Sequence, residues 1–458
     1  MAALSRYSVL LALYLLHSQD FPFEGCNVFA LIDCTNFYAS CHAIFEPRLW
    51  DMNYVIAGSN DGCVIARSEG ARKLGIKMGV PWFQIKDLQE QHDLYCLSAN
   101  FSLYGALSTR VHGIISGLTE DYEWYSIDEA FLRLNGYPGS QAERVQRVRD
   151  RILQWTGVPT GAGLGATKTI AKLGSHISKA AWRKPGSYPA EFSGLCDLTS
   201  VSSGVLENFM ARTSVTDVWG VGPKFGKRLA EFGVQTALDL ARMDTRLARQ
   251  QFGVVLERTI RELNGISCID LESQPQPRQQ MACTRSLGKP VCVRDELMDI
   301  GGSFAEHLAT KIRSRESVTD KVLVFAMTSP FRPGPRFYKS MVVALPCMTS
   351  DNRIITQAAR DGLAAIFAEG YKLVKVGVVL LDLCPASTAA MQAGFDFDVD
   401  AGAERAARLM KAVDAINNRF GAHAVHLAAT QPHRRVQRQQ NKCPDYLTSW
   451  SQVPLVRA

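Results

Sequence analysis

An acid doublet interrupts one of the most apolar stretches of this chain. Trp124-Tyr-Ser-Ile-Asp-Glu-Ala-Phe-Leu132 reads as a strand or hairpin of a packed core, with Asp128 and Glu129 in its middle. A second apolar run, Val28-Phe-Ala-Leu-Ile, ends in Asp33. A carboxylate gains nothing from packing there, and burying several is costly unless a cation or partner compensates. Oxygen ligands with no His or Cys among them suit a hard ion such as Mg²⁺. Successive strand residues point to opposite faces, so the doublet can share a site with Asp33 only where the backbone bends or twists. The competing reading is carboxylates at strand ends that face solvent, and spacing alone leaves both open.

Around these acids, from Val28 to about Lys184, strand-like runs (Val28 to Ile32, Glu123 to Leu134, Thr160 to Gly165) alternate with helical ones, which predicts an α/β or α+β unit. In the helix Ala142 to Trp155, Val145, Val148, Ile152 and Trp155 recur at three and four, with Arg144, Arg147 and Arg151 on the other side. Pro185-Gly186-Ser187 breaks the pattern. Residues Gly204 to Gly265 read as all-helical, and Glu272 to Gln280 as a polar linker. Then come a strand at Cys283 to Leu287, a helix at Asp295 to Glu316, strands at Lys321 to Thr328 and Ser340 to Leu345, a helix at Asn352 to Glu369 and a strand at Lys372 to Leu381. That β-α-β-β-α-β order predicts a ferredoxin-like unit. An Ala-rich helix, Ala403 to Phe420, and a basic Gln/Arg tail from Gln431 follow. No internal repeat is evident. A length of 458 residues accommodates roughly three or four folding units.

The net charge of +7 is too small to decide a partner by itself, so its placement matters. At about 100° per residue, Lys168, Lys172, His176 and Lys179 fall within one sector, while Ile170, Leu173 and Ile177 occupy another. One side packs and the other is a basic stripe, either solvated or facing a polyphosphate. The preceding Gly161-Ala-Gly-Leu-Gly165 invites a phosphate-loop reading that fails, because Thr167 precedes Lys168 and Ala162 takes the first glycine position. Gly220-Val-Gly222 has the form of a helix-hairpin-helix, whose exposed N–H groups can bind a DNA phosphate without reading sequence, although such hairpins also occur as plain helix packing. Arg313, Arg315, Lys321, Arg332, Arg336 and Lys339 concentrate near strand edges, which suits a phosphate backbone or simple edge protection.

The apolar run Val9 to Leu16 resembles a signal peptide but is far too short to span a bilayer, and no A-x-A-like site follows. A cleaved signal and a peripheral anchor compete with a non-functional extension, which we favour. Twelve cysteines are scattered with no CxxC pair, which argues for a reducing cytoplasm and against a zinc ribbon.

Five motifs in order resemble those of the Y-family translesion DNA polymerases, most closely the UmuC type, the catalytic subunit of DNA polymerase V. They are Phe29-Ala-Leu-Ile-Asp-Cys-Thr-Asn-Phe-Tyr-Ala-Ser-Cys41, Asn60-Asp-Gly-Cys-Val-Ile-Ala-Arg67, Tyr125-Ser-Ile-Asp-Glu-Ala130, Thr167-Lys-Thr-Ile-Ala-Lys172 and Val218-Trp-Gly-Val-Gly222. The likeness runs from about Phe29 to about Ala429. It implies an α+β right hand: a palm (28–36 and 93–189) split around fingers (37–92), a helical thumb (190–270) with the hairpin, a linker (271–282), a ferredoxin-like little finger (283–384) and a partner-binding tail (385–458), after an N-terminal extension (1–27).

By the same resemblance, Asp33, Asp128 and Glu129 match the carboxylates that hold two Mg²⁺, with the carbonyl of Cys34 as a further ligand. Tyr38, with Phe37 beside it, matches the steric gate that excludes a ribose 2′-hydroxyl, and Arg72 and Lys179 match the basic grip on the triphosphate. Gly220, Gly222, Lys224, Arg332 and Arg336 would contact DNA, and Gln392, Phe395 and Phe397 match a degenerate sliding-clamp peptide that competes with a plain surface segment. The implied activity is error-prone synthesis past lesions in a bacterial SOS response, in the cytoplasm, with a processed UmuD-type dimer and a RecA filament as activators. Ala66 and Glu69 replace a threonine and tyrosine that many relatives place over the triphosphate, and Gly70 a usual glutamate; Glu69 puts an acid near the expected phosphates. Two rivals are a non-catalytic paralogue acting as a DNA-binding scaffold, which would lack the acids, and a Mg²⁺ nuclease, against which the gate aromatic and the basic pair argue.

Overall fold

The computed structural model describes residues 27–117, 119–272, 276–331, 333–387, 400–421, 424–428, 430 and 439–453. The expected extension before residue 27, Arg332, and the clamp peptide Gln392 to Phe397 lie outside the described residues.

Five strands form the sheet on which everything else is hung. β1 (Phe29–Cys34) lies at its centre, between β6 (Glu129–Arg133) and β7 (Thr160–Gly165), antiparallel to both. β5 (Tyr122–Trp124) pairs with β6 on one edge and β8 (Leu195–Asp197) runs parallel to β7 on the other. The apolar run Glu123 to Leu134 is therefore a hairpin, with Asp128 in its turn and Glu129 opening its second strand.

Every residue of β1 is buried, and alternation sorts them onto two faces. Ala30, Ile32 and Cys34 share a core with Leu103, Leu107, Val111 and Ile115 of the Phe101–Ser116 helix and Val145, Val148 and Ile152 of the Gln141–Thr156 helix. Phe29 and Leu31 face the other way, with Phe131 of β6 and Ala171 of the Lys168–Arg183 helix. Asp33 shares their parity, and Glu129 shares that of Phe131.

The Gly161-Ala-Gly-Leu-Gly165 run is strand β7, and its glycines admit the Lys168–Arg183 helix. A Cβ on Gly163 would lie 2.1 Å from the Ser175 nitrogen, and one on Gly165 would lie 2.6 Å from the Ala171 nitrogen. Thr167 caps that helix through Ile170 N–H, and buried Glu262 accepts from Thr169 N–H at 2.9 Å.

Ile170, Leu173 and Ile177 pack into a helical unit made of the helices Ser203–Arg212, Pro223–Glu231, Ala237–Arg242, Thr245–Phe252 and Val254–Leu263. β2 (Tyr54–Ala57), β3 (Val64–Arg67) and β4 (Tyr95–Ser98) form a small sheet in the order β3-β2-β4, with its own core of Val55, Val64, Ile76 and Leu94. The β-α-β-β-α-β unit comprises β9 (Met281–Val291), the helix Arg294–Arg313, β10 (Ser317–Thr328), β11 (Tyr338–Thr349), the helix Asn352–Ile366 and β12 (Leu373–Leu381). Its sheet runs β11-β10-β12-β9, antiparallel throughout, with the short β13 (Cys384–Pro385) against β10. β9, β10 and β11 begin earlier than expected and β9 and β11 also end later, whereas β12 agrees with its expected span to within one residue. Among the described residues no helix is long and apolar enough to cross a membrane.

Gly163→Ala should push the Lys168–Arg183 helix off the sheet and lower stability by about 1–3 kcal/mol, measured by urea unfolding followed by circular dichroism.

Candidate active site

β1 and β6 set Asp33 directly opposite Glu129, and β7 sets Gly161 opposite Asp33 on the other side. The first residue of β6 therefore faces the Lys168–Arg183 helix with Asp33, while Asp128 reaches the same end of the sheet from the hairpin turn. The bend needed to bring the doublet together with Asp33 is that turn. It is fastened by Cys34 N–H donating to the Asp128 carbonyl at 2.8 Å and by Ser126 Oγ donating to Asp128 Oδ1 at 2.8 Å.

The basic stripe is not a free face. Lys179 Nζ sits 2.5 Å from Asp33 Oδ2, and Lys172 Nζ 2.8 Å from Glu129 Oε2. Lys168, buried at 2% exposure, bonds Glu123 Oε2 at 2.7 Å and lies over the Phe131 ring. Lys168 thus serves the core, and its neighbours neutralise the acids from the helix side. Burial lowers His176.

Burial pushes the Asp33 carboxyl up to about 7, with the Lys179 ammonium pulling it down and the adjoining Glu129 raising it further. Burial also raises Asp128. For Glu129, burial is outweighed by a hydrogen bond with Asp33 and by Lys172, so its carboxyl is held below the ordinary range. Asp33 and Glu129 thus share a site in which one carboxyl readily keeps a proton. Among the described residues no three acidic, His or Cys side chains form a ready cluster for a metal ion. The donor set still fits a hard dication: all oxygen, with Asp33 buried and Asp128 and Glu129 partly so, and with more carboxylate than the site tolerates ionised.

A cleft of ≈ 430 Å³ opens in front of Asp33 and Asp128, lined also by Cys34, Phe37, Tyr38, Ala66, Arg67, Arg72, Lys179 and Arg183. Tyr38, half-buried, stacks on Tyr104 at 4.2 Å and 15°, with Phe101 edge-on at 6.2 Å. Burial, with Asp128 next, raises its hydroxyl above the usual value. Asn36, in the left-handed region at φ 48°, accepts from Arg72 at 2.6 Å and from Arg183 at 3.2 Å. Glu69 Oε2 lies 3.4 Å from Arg72 Nε and 3.6 Å from Arg183 Nε. The acid flagged at Glu69 is therefore tied to two arginines and does not stand alone.

Arg67 and Arg183 belong to this cleft and escaped the sequence reading. Arg183 had a signal: at about 100° per residue it falls inside the sector that already holds Lys172 and Lys179. Arg67 had none, because only tertiary packing turns β3 toward the acids.

The other expected residues lie elsewhere. Gly220 has φ 86°, Gly222 caps the Pro223–Glu231 helix and Lys224 is exposed. A one-turn 3₁₀ helix, Val215–Asp217, precedes this hairpin where a longer helix was expected. Trp219 ties it to the acid hairpin by donating to the Tyr125 hydroxyl at 3.1 Å. Arg336 is exposed. Two of the cations grouped with it are paired, Arg313 with Asp414 and Lys321 with Asp382.

Residues 32–176 match the impB/mucB/samB family, 278–393 the C-terminal domain of that family and 205–234 its helix-hairpin-helix motif, while 407–456 match a domain of unknown function. The chain is 36% identical to protein ImpB and 34% identical to protein UmuC of Salmonella typhimurium, each over 94% of this chain and 100% of the relative. DNA polymerase IV of Caulobacter vibrioides is 28% identical over 88% of this chain and 93% of its own. Among solved structures, a chimera of the Y-family DNA polymerases Dbh and Dpo4 superposes with a TM-score of 0.62, at 17% identity, over 78% of this chain and 99% of that one.

In the metal-free protein, the folded state holds the Asp33 proton that an unfolded chain releases near 3.8. The stability that Asp33 contributes relative to an asparagine should therefore fall as pH rises from about 4 to about 7 and then level off. Thermal melts of wild type and Asp33→Asn across that range check this: the stability of wild type relative to the variant should decrease from about pH 4 toward pH 7 and stay constant above it.

Proposed function

Because the chain belongs to the impB/mucB/samB family and is a UmuC-type, Y-family translesion DNA polymerase with a divalent-metal requirement, we propose that it extends primers past damaged template bases in a bacterial SOS response, using the Asp33 cleft. One observation carries the residue assignment: the acids, the Tyr38 platform and four basic side chains, from separate parts of the chain, line or adjoin a single cleft.

In this reading Asp33, Asp128, Glu129 and the Cys34 carbonyl would hold two Mg²⁺, which would supply Lewis-acid activation of the primer 3′-hydroxyl and charge neutralisation for the leaving pyrophosphate. The remaining work falls to the chain's own groups. Lys179, Arg72 and Arg183 orient the triphosphate by charge-assisted hydrogen bonds. Lys179 is placed to exchange its Asp33 partner for a phosphate oxygen, because both lie on the wall of one cleft. Tyr38, held flat by Tyr104, lies beneath the sugar with Phe37 beside it, and its ring occupies the space a 2′-hydroxyl would need. Glu69 moderates the arginine charge and keeps Arg72 and Arg183 aligned through Asn36.

Gly220, Gly222 and Lys224 offer backbone N–H groups and a cation to the template-primer backbone, and Arg332 and Arg336 extend that contact. The partners in this reading are a processed UmuD-type dimer, a RecA filament and the sliding clamp, the last through Gln392, Phe395 and Phe397, in the cytoplasm. Their support is the resemblance to UmuC and the peptide pattern.

Primer extension tests the assignment. Asp128→Asn combined with Glu129→Gln should reduce extension by about a thousandfold or more; normal extension by that variant would refute the site. Tyr38→Ala should raise ribonucleotide incorporation by about tenfold. Glu69→Gln should lower KM for dNTP by about threefold through release of the two arginines.

A further inference from the structure

The last part of the chain, matched by a domain of unknown function at 407–456, takes no part in the chemistry above, yet it makes some of the most specific contacts in the molecule. One end of it grips the β-α-β-β-α-β unit. Asp414 of the Asp400–Phe420 helix accepts side-on from Arg313 Nε at 2.8 Å and Nη2 at 2.7 Å, and Met410 is buried. Further on, the Leu427 N–H at 3.2 Å and the hydroxyl of buried Thr430 both donate to Glu306, itself 5% exposed in the Arg294–Arg313 helix.

The other end grips the β2-β3-β4 sheet and the core beneath β1. Lys442 pairs with Ser98 as a parallel bridge on the edge of β4. The Asn441 carbonyl accepts from Ser98 N–H at 3.0 Å, and its side-chain amide donates to the Cys96 carbonyl at 2.8 Å. Asn100, which caps the Phe101–Ser116 helix, turns its amide to the Pro444 carbonyl at 3.3 Å and to Asp445 at 3.1 Å. Tyr446, 7% exposed, enters the core beneath β1, stacked on Phe45 at 4.6 Å and 7°. A side chain so fully enclosed is an anchor, because leaving it would expose its ring to water.

Between the two ends, the Ser59–Asp61 turn meets both partners. Asn60, at φ 59°, donates to the Ser286 carbonyl of β9 at 2.6 Å, and Asp61, at φ 49°, accepts from Gln440 N–H at 2.9 Å. Two consecutive left-handed residues other than glycine are costly, and Asn and Asp are among the residue types that bear it best. Their conformation is what presents one side chain to each neighbour.

We propose that the C-terminal part of the chain, through its anchors at Met410, Asp414, Leu427 and Thr430 and at 440–446, is an intramolecular clasp that holds the β-α-β-β-α-β unit against the β2-β3-β4 sheet, so that the unit is tethered at both of its ends and stays over bound DNA between nucleotide additions. One tether is the thumb-side linker before β9; the clasp is the second. A second tether raises the local concentration of the unit at its docking surface and so slows its departure without any new DNA contact. The DNA consequence rests on the polymerase reading, whereas the clasp itself does not.

The test uses the full-length protein with a protease recognition sequence inserted within 431–438, compared before and after cutting. Cutting should enlarge the radius of gyration in small-angle X-ray scattering and speed release of a primer-template duplex by roughly three- to tenfold. Asp414→Lys, which opens the far anchor without touching the core beneath β1, should reproduce both changes. Scattering curves that superpose before and after cutting would overturn the clasp. An enlarged radius with unchanged duplex release would overturn its role in holding DNA while leaving the clasp standing.

Discussion

Three carboxylates on one face of the central sheet and three ammonium groups on the helix laid across it hold this structure together. Glu123 of β5, Glu129 of β6 and Asp33 of β1 meet Lys168, Lys172 and Lys179 in that order. Each ion alone would be expensive to bury, and removing one partner of such a pair leaves an uncompensated charge. The helix must therefore lie at one height and one rotation. Gly163 and Gly165 allow that closeness, and the apolar side of the same helix becomes part of the thumb core. The palm, the thumb and the acid site are consequences of one docking event.

The same pairing explains how a site rich in acid and base can exist before substrate arrives. Asp33 leans toward its proton and Glu129 toward its charge, so the two carboxyls divide the repulsion between them. In the same cleft Glu69 and Asn36 do the corresponding work for Arg72 and Arg183. Asp33, Glu129, Lys179, Arg72 and Arg183 are each held by an internal partner of opposite charge, and for these groups substrate binding becomes an exchange of partners. Exchange costs less than creating charge in a dry pocket, since neither state leaves an ion unpaired. Seen this way, the +7 excess is a remainder after much local cancellation.

Much of this was legible in the residues. Asp33 after an apolar run, the doublet at Asp128 and Glu129, and the helix with its two sectors were visible because burial and periodicity leave marks in one dimension. The β-α-β-β-α-β order was visible for the same reason. The order of strands within that sheet, β11-β10-β12-β9, was not, because pairing partners are far apart in the chain and many orders satisfy the same alternation. The role of Lys168 was misread as part of an open stripe. Its sector on the helix is right, but whether that sector meets water or Glu123 depends on what lies opposite. Arg67 carried no mark at all, since the turn of β3 toward β1 is made by packing.

The C-terminal segment shows the division most clearly. Composition marked it as an Ala-rich helix followed by a basic tail, and nothing in its residues says that Tyr446 stacks on Phe45 or that Asp414 takes both nitrogens of Arg313. What the sequence determined by itself was the chemistry: which residues are too polar for their surroundings, how often apolar groups recur, and hence the fold class and the acids of the site. What only the tertiary structure decided was the partnership of each charge. Local periodicity follows from neighbours along the chain, whereas the free energy of a buried ion depends on groups far along the chain, 43 and 45 residues away for Glu129 and Glu123 and farther still for Asp33, whose distance is set only when the chain has closed.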